Sequence, residues 1–204
     1  MMMKLLAAGP SPYVRKARIT AKMKGLDGQL EVVSPDAAEA DAMRARNPLA
    51  KIPVLLLDDG AAIFDSHVIC EYLDSLVAAP VLFPGDGMAR WEMLTRASLA
   101  DGMIDAALLL VYEGRYRPQD KWVQDWIDMQ QAKIDQGLAH FEAAPPTWNR
   151  NPDYSHITLA VALGYLDFRH DGKWRQSNPK LVDWLNTFSE TVPAFSETMP
   201  PAGA

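Results

Sequence analysis

The chain has 204 residues, 49% of them hydrophobic and 23% charged, the balance of an ordinary globular protein in one large or two small domains. Its formal net charge of −6, with no run of Lys or Arg, argues against a nucleic-acid partner, because tracking phosphates needs clustered basic residues. The one cysteine, Cys70, excludes an intramolecular disulfide, a CxxC redox pair and a thiolate metal cluster. A reducing compartment fits. No stretch approaches the ~18 unbroken apolar residues of a membrane span, and the Met-Met-Met-Lys-Leu-Leu start lacks a signal peptide's apolar core, so the expected location is the cytoplasm.

In chain order, Lys4 to Ala8 is an apolar strand candidate broken by Gly9-Pro10. Ser11 is then placed as the N-cap, with Pro12 in the first turn, of a helix running to Met23 and stopping near Gly25. Leu30 to Val33 is a second strand, and Asp36 to Arg46 a polar helix ended by Asn47-Pro48. Strand, helix, strand is a parallel crossover unit. Val54 to Leu57 and Ala61 to Phe64 flank Asp58-Asp59-Gly60, and an Asp-Gly pair supplies the positive φ of a tight hairpin.

Pro53 stands where the first hairpin strand begins, and a proline entering a sheet is tolerated at an edge or in a cis turn. In the cis form the N–H and C=O of Ile52 face outward, free to pair with an extended peptide by strand addition. Asp65-Ser66 then opens a helix carrying Val68, Ile69, Tyr72, Leu73 and Leu76 at helical spacing. Its unpaired N–H groups and positive dipole end suit a carboxylate, although Asp65 or Ser66 can equally serve as a plain N-cap. Residues 1–77 thus read as a small mixed sheet with helices packed on it.

Residues 78–87, rich in proline and glycine, suit a linker. Beyond it the strand signals vanish, and 88–204 reads as an all-helical domain. Met88 to Arg115 shows Trp91, Leu94, Ser98, Asp101, Asp105, Leu108 and Tyr112 at helical spacing, and Pro118 stops it. Gln119 to Ala143 follows, with Trp122, Trp126, Met129, Leu138 and Phe141 as the expected buried stripe. Ser155 to Arg169 is apolar enough to be the central helix. Lys180 to Glu190 should turn Leu181, Trp184, Leu185 and Phe188 inward. Asp101 and Asp105 share a face, as an acid/base pair would and as a solvated pair matched by nearby cations also would. His67, His140, His156 and His170 show no metal-ligand spacing, and Cys70 sits in an apolar stripe as an inert buried thiol.

Three motifs, in this order, carry a resemblance over essentially the whole chain: Ser11-Pro-Tyr-Val-Arg-Lys-Ala-Arg18, then Asn47-Pro-Leu-Ala-Lys-Ile-Pro-Val-Leu55 with Asp65-Ser66, then Gly164-Tyr-Leu-Asp-Phe-Arg169 with Trp184 to Pro200. Together they resemble the cytosolic glutathione S-transferases, and the serine resembles theta-like bacterial members. The resemblance implies an α/β thioredoxin-like first domain of βαβββα type followed by an all-α domain, a homodimer, glutathione as co-substrate and no metal. By the same motifs, Ile52 before cis-Pro53 pairs its backbone with the cysteinyl part of glutathione. Asp65 and Ser66 hold the γ-glutamyl end, and Lys51 lies where a side chain often reaches the glycyl carboxylate.

Ser11 matches the thiol activator, with Tyr13 as a rival hydroxyl. The second-substrate pocket is expected at Tyr13, Met103, Leu108 and Tyr112, and Asp101 is the candidate for reaching the tripeptide bound to the other subunit. The family's central helix usually opens on Ser/Thr-x-x-Asp; here the matching stretch is Ser155-His-Ile-Thr158, with Ser155 as cap and no acid to reach back. The activity implied is conjugation of glutathione to small apolar electrophiles. Rival readings are a binding module without turnover, or a glutathione-dependent reductase, isomerase or peroxidase; the lack of a cysteine near Ser11 weighs against disulfide exchange.

Overall fold

Met3 and Leu5 are buried with Lys4 exposed between them, the alternation of a strand, and Leu6 is buried too, so both faces are covered at the strand's end. In the computed structural model, which describes residues 2–34, 45–149 and 151–201, they form β1 (Met3–Leu6). β1 pairs in parallel with β2 (Leu30–Val33) and antiparallel with β3 (Val54–Leu56), which pairs antiparallel with β4 (Ala62–Ile63). The sheet order is β2-β1-β3-β4. The hairpin strands are shorter than expected, but the turn is as read: Gly60 has φ +85°, its N–H donates to the Leu57 carbonyl at 2.9 Å, and Leu57 N–H donates to the Ala61 carbonyl at 2.9 Å. Most of the helix expected over 36–46 lies outside the described residues.

The first helix, α1 (Pro12–Met23), is capped by Ser11, whose Oγ accepts from Val14 N–H at 3.3 Å. It ends where Gly25 turns left-handed at φ +69°: Leu26 N–H reaches the Ala21 carbonyl at 2.8 Å and Gly25 N–H the Lys22 carbonyl at 3.0 Å. That is the paired closure which a glycine just past a helix end allows. After β4, α2 (Ser66–Ser75) packs beside α1. Lys24, its side chain fully buried, pairs with Asp74 of α2 at 2.8 Å. Asp74 also accepts from Leu82 N–H and Phe83 N–H, which fastens the segment after α2 to the sheet unit.

The chain divides into two compact units, Met1–Pro84 with Val192–Ala204, and Gly85–Thr191. Residues 192–204, assigned from sequence to the helical domain, therefore belong with the sheet. The physical reason is apolar: Val192, Ala194 and Phe195 are buried, and Arg15 of α1 donates to the Phe195 carbonyl.

The second unit is built on α3 (Gly87–Tyr116), α4 (Gln124–Ala143), α5 (Tyr154–Arg169) and α6 (Pro179–Thr191). From Tyr154 to Leu166 every residue of α5 is buried, so it is the central helix as expected. The buried face of α3 differs from the spacing marked by large residues. Met93, Ala97, Ala100, Ile104 and Ala107 face inward, because small side chains let α3 lie close to α5, and Trp91 is exposed. On α4, Leu138 and Phe141 are buried as expected, but Trp122 and Met129 are exposed, and Gln130, Ile134 and Gly137 take their place. A 3-10 turn over Gln119–Lys121 follows Pro118, so α4 begins only at Gln124 and Trp122 lies before it. The inward face of α6 is as read, with Leu181, Trp184, Leu185 and Phe188 buried.

Capping of α5 also differs. The cap is Asp153, not Ser155: its carboxylate accepts from the N–H groups of Ser155 and His156, at 2.9 and 3.3 Å, and His156 Nδ1 reaches back to Asp153 N–H at 3.0 Å. Histidine takes the return role that glutamate fills in the usual box. Burial alone would push the Asp153 carboxyl up, but the His156 ring, the Ser155 hydroxyl and the Arg96 charge outweigh it and hold it below its ordinary value of 3.8. A carboxyl held lower in the folded state stabilises above the unfolded value, and that contribution disappears as pH falls through the folded one. The stability advantage of the wild type over Asp153→Asn, taken from urea midpoints, should therefore hold above about pH 5 and shrink as pH falls below 3.8 and through the folded value.

Gly137 on α4 is fixed by contact. A Cβ there would stand 2.6 Å from both Cγ and Sδ of Met103 on α3. Gly137→Ala should lower stability by ~1–3 kcal/mol through overpacking, against a helix-propensity gain of about 1 kcal/mol. Combining it with Met103→Ala should recover part of the urea midpoint; no recovery would show that the strain lies elsewhere.

Candidate functional site

Strand register decides which loops meet. Leu6, the last residue of β1, is opposite Val54, the first of β3, and Leu55 is opposite Ile63 at the end of β4. The exit of β1, the entry to β3 and the exit of β4 therefore lie at one end of the sheet. Those three points lead to Ser11, from Ile52-Pro53 and to Asp65-Ser66. Two helix N-termini, of α1 and α2, open at that same end, each a source of partial positive charge and unpaired N–H groups.

Ser11 is half-buried, and among the described residues its side chain makes one hydrogen bond, accepting from Val14 N–H. A serine hydroxyl has one O–H and two lone pairs, so capping leaves the O–H available to donate. Tyr13 is the second residue of α1, half-buried, with Lys16 Nζ 5.5 Å from the centre of its ring.

The Ile52-Pro53 peptide bond is cis, and Pro53 is buried against the start of β3. Ile52 is half-buried and stands outside the strand, so no ladder hydrogen bond takes up its backbone. What holds this corner is a residue the sequence reading used only as a helix stop. Asn47, 2% exposed, donates from Nδ2 to the Lys51 carbonyl at 2.9 Å and accepts Leu49 N–H on Oδ1 at 3.0 Å. Its own carbonyl accepts Ala50 N–H at 2.8 Å, and Ala50 is left-handed at φ +51°. The signal for this role was present, since an Asn whose side chain bonds the backbone two residues on is an Asx turn. Lys51 itself is exposed.

Asp65 is the N-cap of α2, its Oδ1 accepting from His67 N–H at 3.1 Å. Its carbonyl takes Ile69 N–H at 2.9 Å, so the cap is engaged by backbone and side chain at once. Ser66, 3% exposed, is the first residue of the helix, where an N–H has no intrahelical acceptor. Cys70, one turn on, is fully buried.

The remaining candidates belong to the helical unit. Met103 is 1% exposed and fills the space over Gly137, Leu108 is half-buried and Tyr112 exposed. Asp101 is half-buried on α3 and Asp105 exposed. A cleft of about 810 Å³ between α4, the end of α5 and the start of α6 contains none of the predicted residues. Among the described residues there is no group of three or more His, Cys, Asp or Glu that could hold a metal ion, and no helix long and apolar enough to cross a membrane.

In chemical terms, the end of the sheet offers an open backbone edge to an extended peptide, a helix N-terminus beside an aspartate to an amino acid's carboxylate and ammonium, and a hydroxyl donor at a second helix N-terminus. The sequence matches the family models of the glutathione S-transferase N-terminal domain over residues 10–76 and C-terminal domain over residues 124–187. It is 34% identical to the uncharacterized GST-like protein YibF of Escherichia coli K12, over 98% of this chain and 99% of that one. A glutathione transferase family member from Pseudomonas fluorescens Pf-5, solved with bound glutathione, is 40% identical with a TM-score of 0.91, covering 98% of this chain and 100% of that one. A second structure, also from Pf-5 and with bound S-(propanoic acid)-glutathione, is 39% identical with a TM-score of 0.87 over the same shares. With both domains matched in order along one chain, the protein belongs to the glutathione S-transferase family.

Proposed function

We propose that the protein is a glutathione transferase that binds glutathione along the Ile52-Pro53 edge and transfers its sulfur to small apolar electrophiles. In this reading the Ile52 backbone pairs with the cysteinyl residue, Asp65 and Ser66 take the γ-glutamyl ammonium and carboxylate, and Lys51 reaches the glycyl carboxylate. Ser11 donates its O–H to the sulfur. The Pf-5 structures support the ligand, since one holds glutathione and the other a glutathione carrying a substituent on sulfur.

The single observation that carries the activity is the state of Ser11: its oxygen caps α1 as an acceptor, so the hydroxyl proton is available to a thiolate. A free thiol has a pKa of about 8.5, and only the thiolate is a good nucleophile. Lowering that value by about two units takes roughly 2.7 kcal/mol. One hydrogen bond to a charged group supplies ~1.5–3 kcal/mol and the helix N-terminus about 0.3–1 kcal/mol more. The thiol proton then leaves to solvent, the thiolate attacks the electrophilic carbon and the leaving group departs with the electron pair. No general base at the sulfur is required. Tyr13 is the side chain of the sheet unit proposed to meet the electrophile.

Assembly as a homodimer belongs to the same proposal. The outer face of α3 leaves Trp91, Leu109, Tyr112 and Tyr116 exposed, and large apolar side chains in a row on one helix face suit a partner. Asp101, at the flank of that face, is the group proposed to approach the tripeptide held by the other subunit. A dimer should be seen by light scattering on the wild type, and Trp91→Glu should shift the mass to that of one chain.

At pH 7 a thiol of pKa about 8.5 is a few per cent ionised and one of about 6.5 roughly three-quarters ionised. Ser11→Ala should therefore lower kcat/KM for a model aryl halide by up to about 25-fold at pH 7, with the KM for glutathione rising by no more than about fourfold and the gap closing above about pH 9. Asp65→Ala should do the reverse, raising KM more than it lowers kcat. A wild type that binds glutathione yet is no faster than Ser11→Ala on either an aryl halide or a peroxide would leave a binding module in place of an enzyme.

A further inference from the structure

The end of the chain touches the sheet unit on both sides of Ser11. Before it, Gly9 lies in the turn that Ser11 N–H closes onto the Ala8 carbonyl at 3.0 Å. Pro201 packs directly on Gly9: a Cβ there would stand 3.0 and 3.2 Å from Cγ and Cδ of that ring. After it, Arg15 follows by one helical turn, its N–H donating to the Ser11 carbonyl at 3.1 Å. The Arg15 guanidinium is 3% exposed, donates from Nη2 to the Phe195 carbonyl at 2.7 Å, and lies 4.0 Å over the Phe195 ring. The same Nη2 is 3.1 Å from Met199 Sδ.

These contacts are built into the unit. α7 (Pro193–Glu197) carries Ala194 and Phe195 buried, and Thr198, 1% exposed, closes the turn after it with Oγ1 donating to the Ala194 carbonyl at 2.7 Å. Further along α1, Lys22 pairs with Glu197 at 3.0 Å. A buried guanidinium is tolerated only where acceptors meet it, so Arg15 ties the first two turns of α1 to the position of the tail.

We propose that the segment Pro193–Pro201 is a brace for the thiol-activating turn, with Phe195 and Pro201 as positioning residues that fix the direction of the Ser11 hydroxyl. This rests on the reading of Ser11 as the donor to the glutathione sulfur. A hydrogen bond weakens steeply as its angle closes, and a misplacement of about 1 Å at a reacting group can cost on the order of a hundredfold in rate. Neither Gly9 nor Arg15 needs to touch the ligand for the brace to act. The tripeptide's other contacts, at Ile52, Asp65 and Ser66, are carried by different loops, so the brace acts on the bound thiolate and leaves the affinity for glutathione in its thiol form unchanged.

The test uses full-length Pro201→Gly, Phe195→Ala, Ser11→Ala and wild-type protein. Glutathione Kd is measured by calorimetry, and the pKa of the bound thiol by far-ultraviolet thiolate absorbance across pH. Pro201 is exposed, so its variant folds even where loss of the Phe195 ring weakens the unit. The expected result is a bound-thiol pKa raised by ~0.5–1 unit in both tail variants, with Kd at about pH 5.5, where the bound thiol stays protonated, within about twofold of wild type and conjugation rates converging at high pH. Tail variants that titrate the thiol as the wild type does overturn the brace, whether or not their melting temperatures fall. If Ser11→Ala also titrates as wild type, the serine reading itself fails; if only Ser11→Ala shifts, the serine stands and the brace alone is wrong.

Discussion

The pairing of Leu6 with Val54, and of Leu55 with Ile63, is the constraint on which the rest depends. Because β3 runs antiparallel to both of its neighbours, the chain leaves β1 and β4 at the end where it enters β3. Leu5, Leu6, Val54 and Leu55 are all buried, so both faces of β1 and β3 are covered where they pair, and the sheet is held between apolar layers. Fixing the register fixes the site. Ser11, Ile52 and Ser66 are far apart in sequence, and what gathers them is the hydrophobic requirement of three short strands.

Each segment gathered there is then locked by polar contacts of its own. Asn47 ties the approach to Pro53, Asp65 caps α2, and Ser11 caps α1. All three use short side chains to bond nearby backbone, which costs little rotamer entropy compared with long flexible groups. The division of labour is physical: apolar burial sets where the loops go, and local side-chain hydrogen bonds set what they present.

Much of this was legible in the sequence, and the parts that were not have identifiable causes. The sheet, the hairpin, the caps at Ser11 and Asp65 and the central α5 follow from signals within a few residues of one another, such as Asp-Gly at a turn or Ser-Pro at a helix start. Large apolar residues do not mark burial before and along α4, where Trp122 and Met129 of the expected stripe are exposed. On α3 the interior is alanine-rich, since close helix approach favours small side chains, and Trp91 is left outside. On α4 the covered stripe runs through Gln130, Ile134, Gly137 and Phe141, which leaves Met129 outside, and Trp122 stands before the helix, after the turn at Gln119–Lys121. Asp153 was missed as a cap because His156 substitutes for the usual acid or amide. The return of residues 192–201 to the sheet is a tertiary fact with no local signature beyond the apolar pair Val192 and Phe195.

The charge pattern carries the final step. A protein of net charge −6 with an exposed Lys51 as the cation beside its candidate site is poorly suited to drawing in an anion by its overall field. The glutathione-binding edge proposed here needs no such field. Two helix N-termini aim their N–H groups at one end of the sheet, and their effect falls off within about a turn, so they act at contact distance. A site built this way favours a small ligand carrying its negative charges at defined separations over a polyanion tracked by its overall charge. The same short range bears on the proposed role of Ser11: a dipole and a hydrogen bond both depend on angle, so the direction of its hydroxyl at the start of α1 sets what each can contribute to a thiolate there. Orientation, fixed by packing on α1, is then the quantity that selection on this fold can adjust without altering a single residue in contact with the ligand.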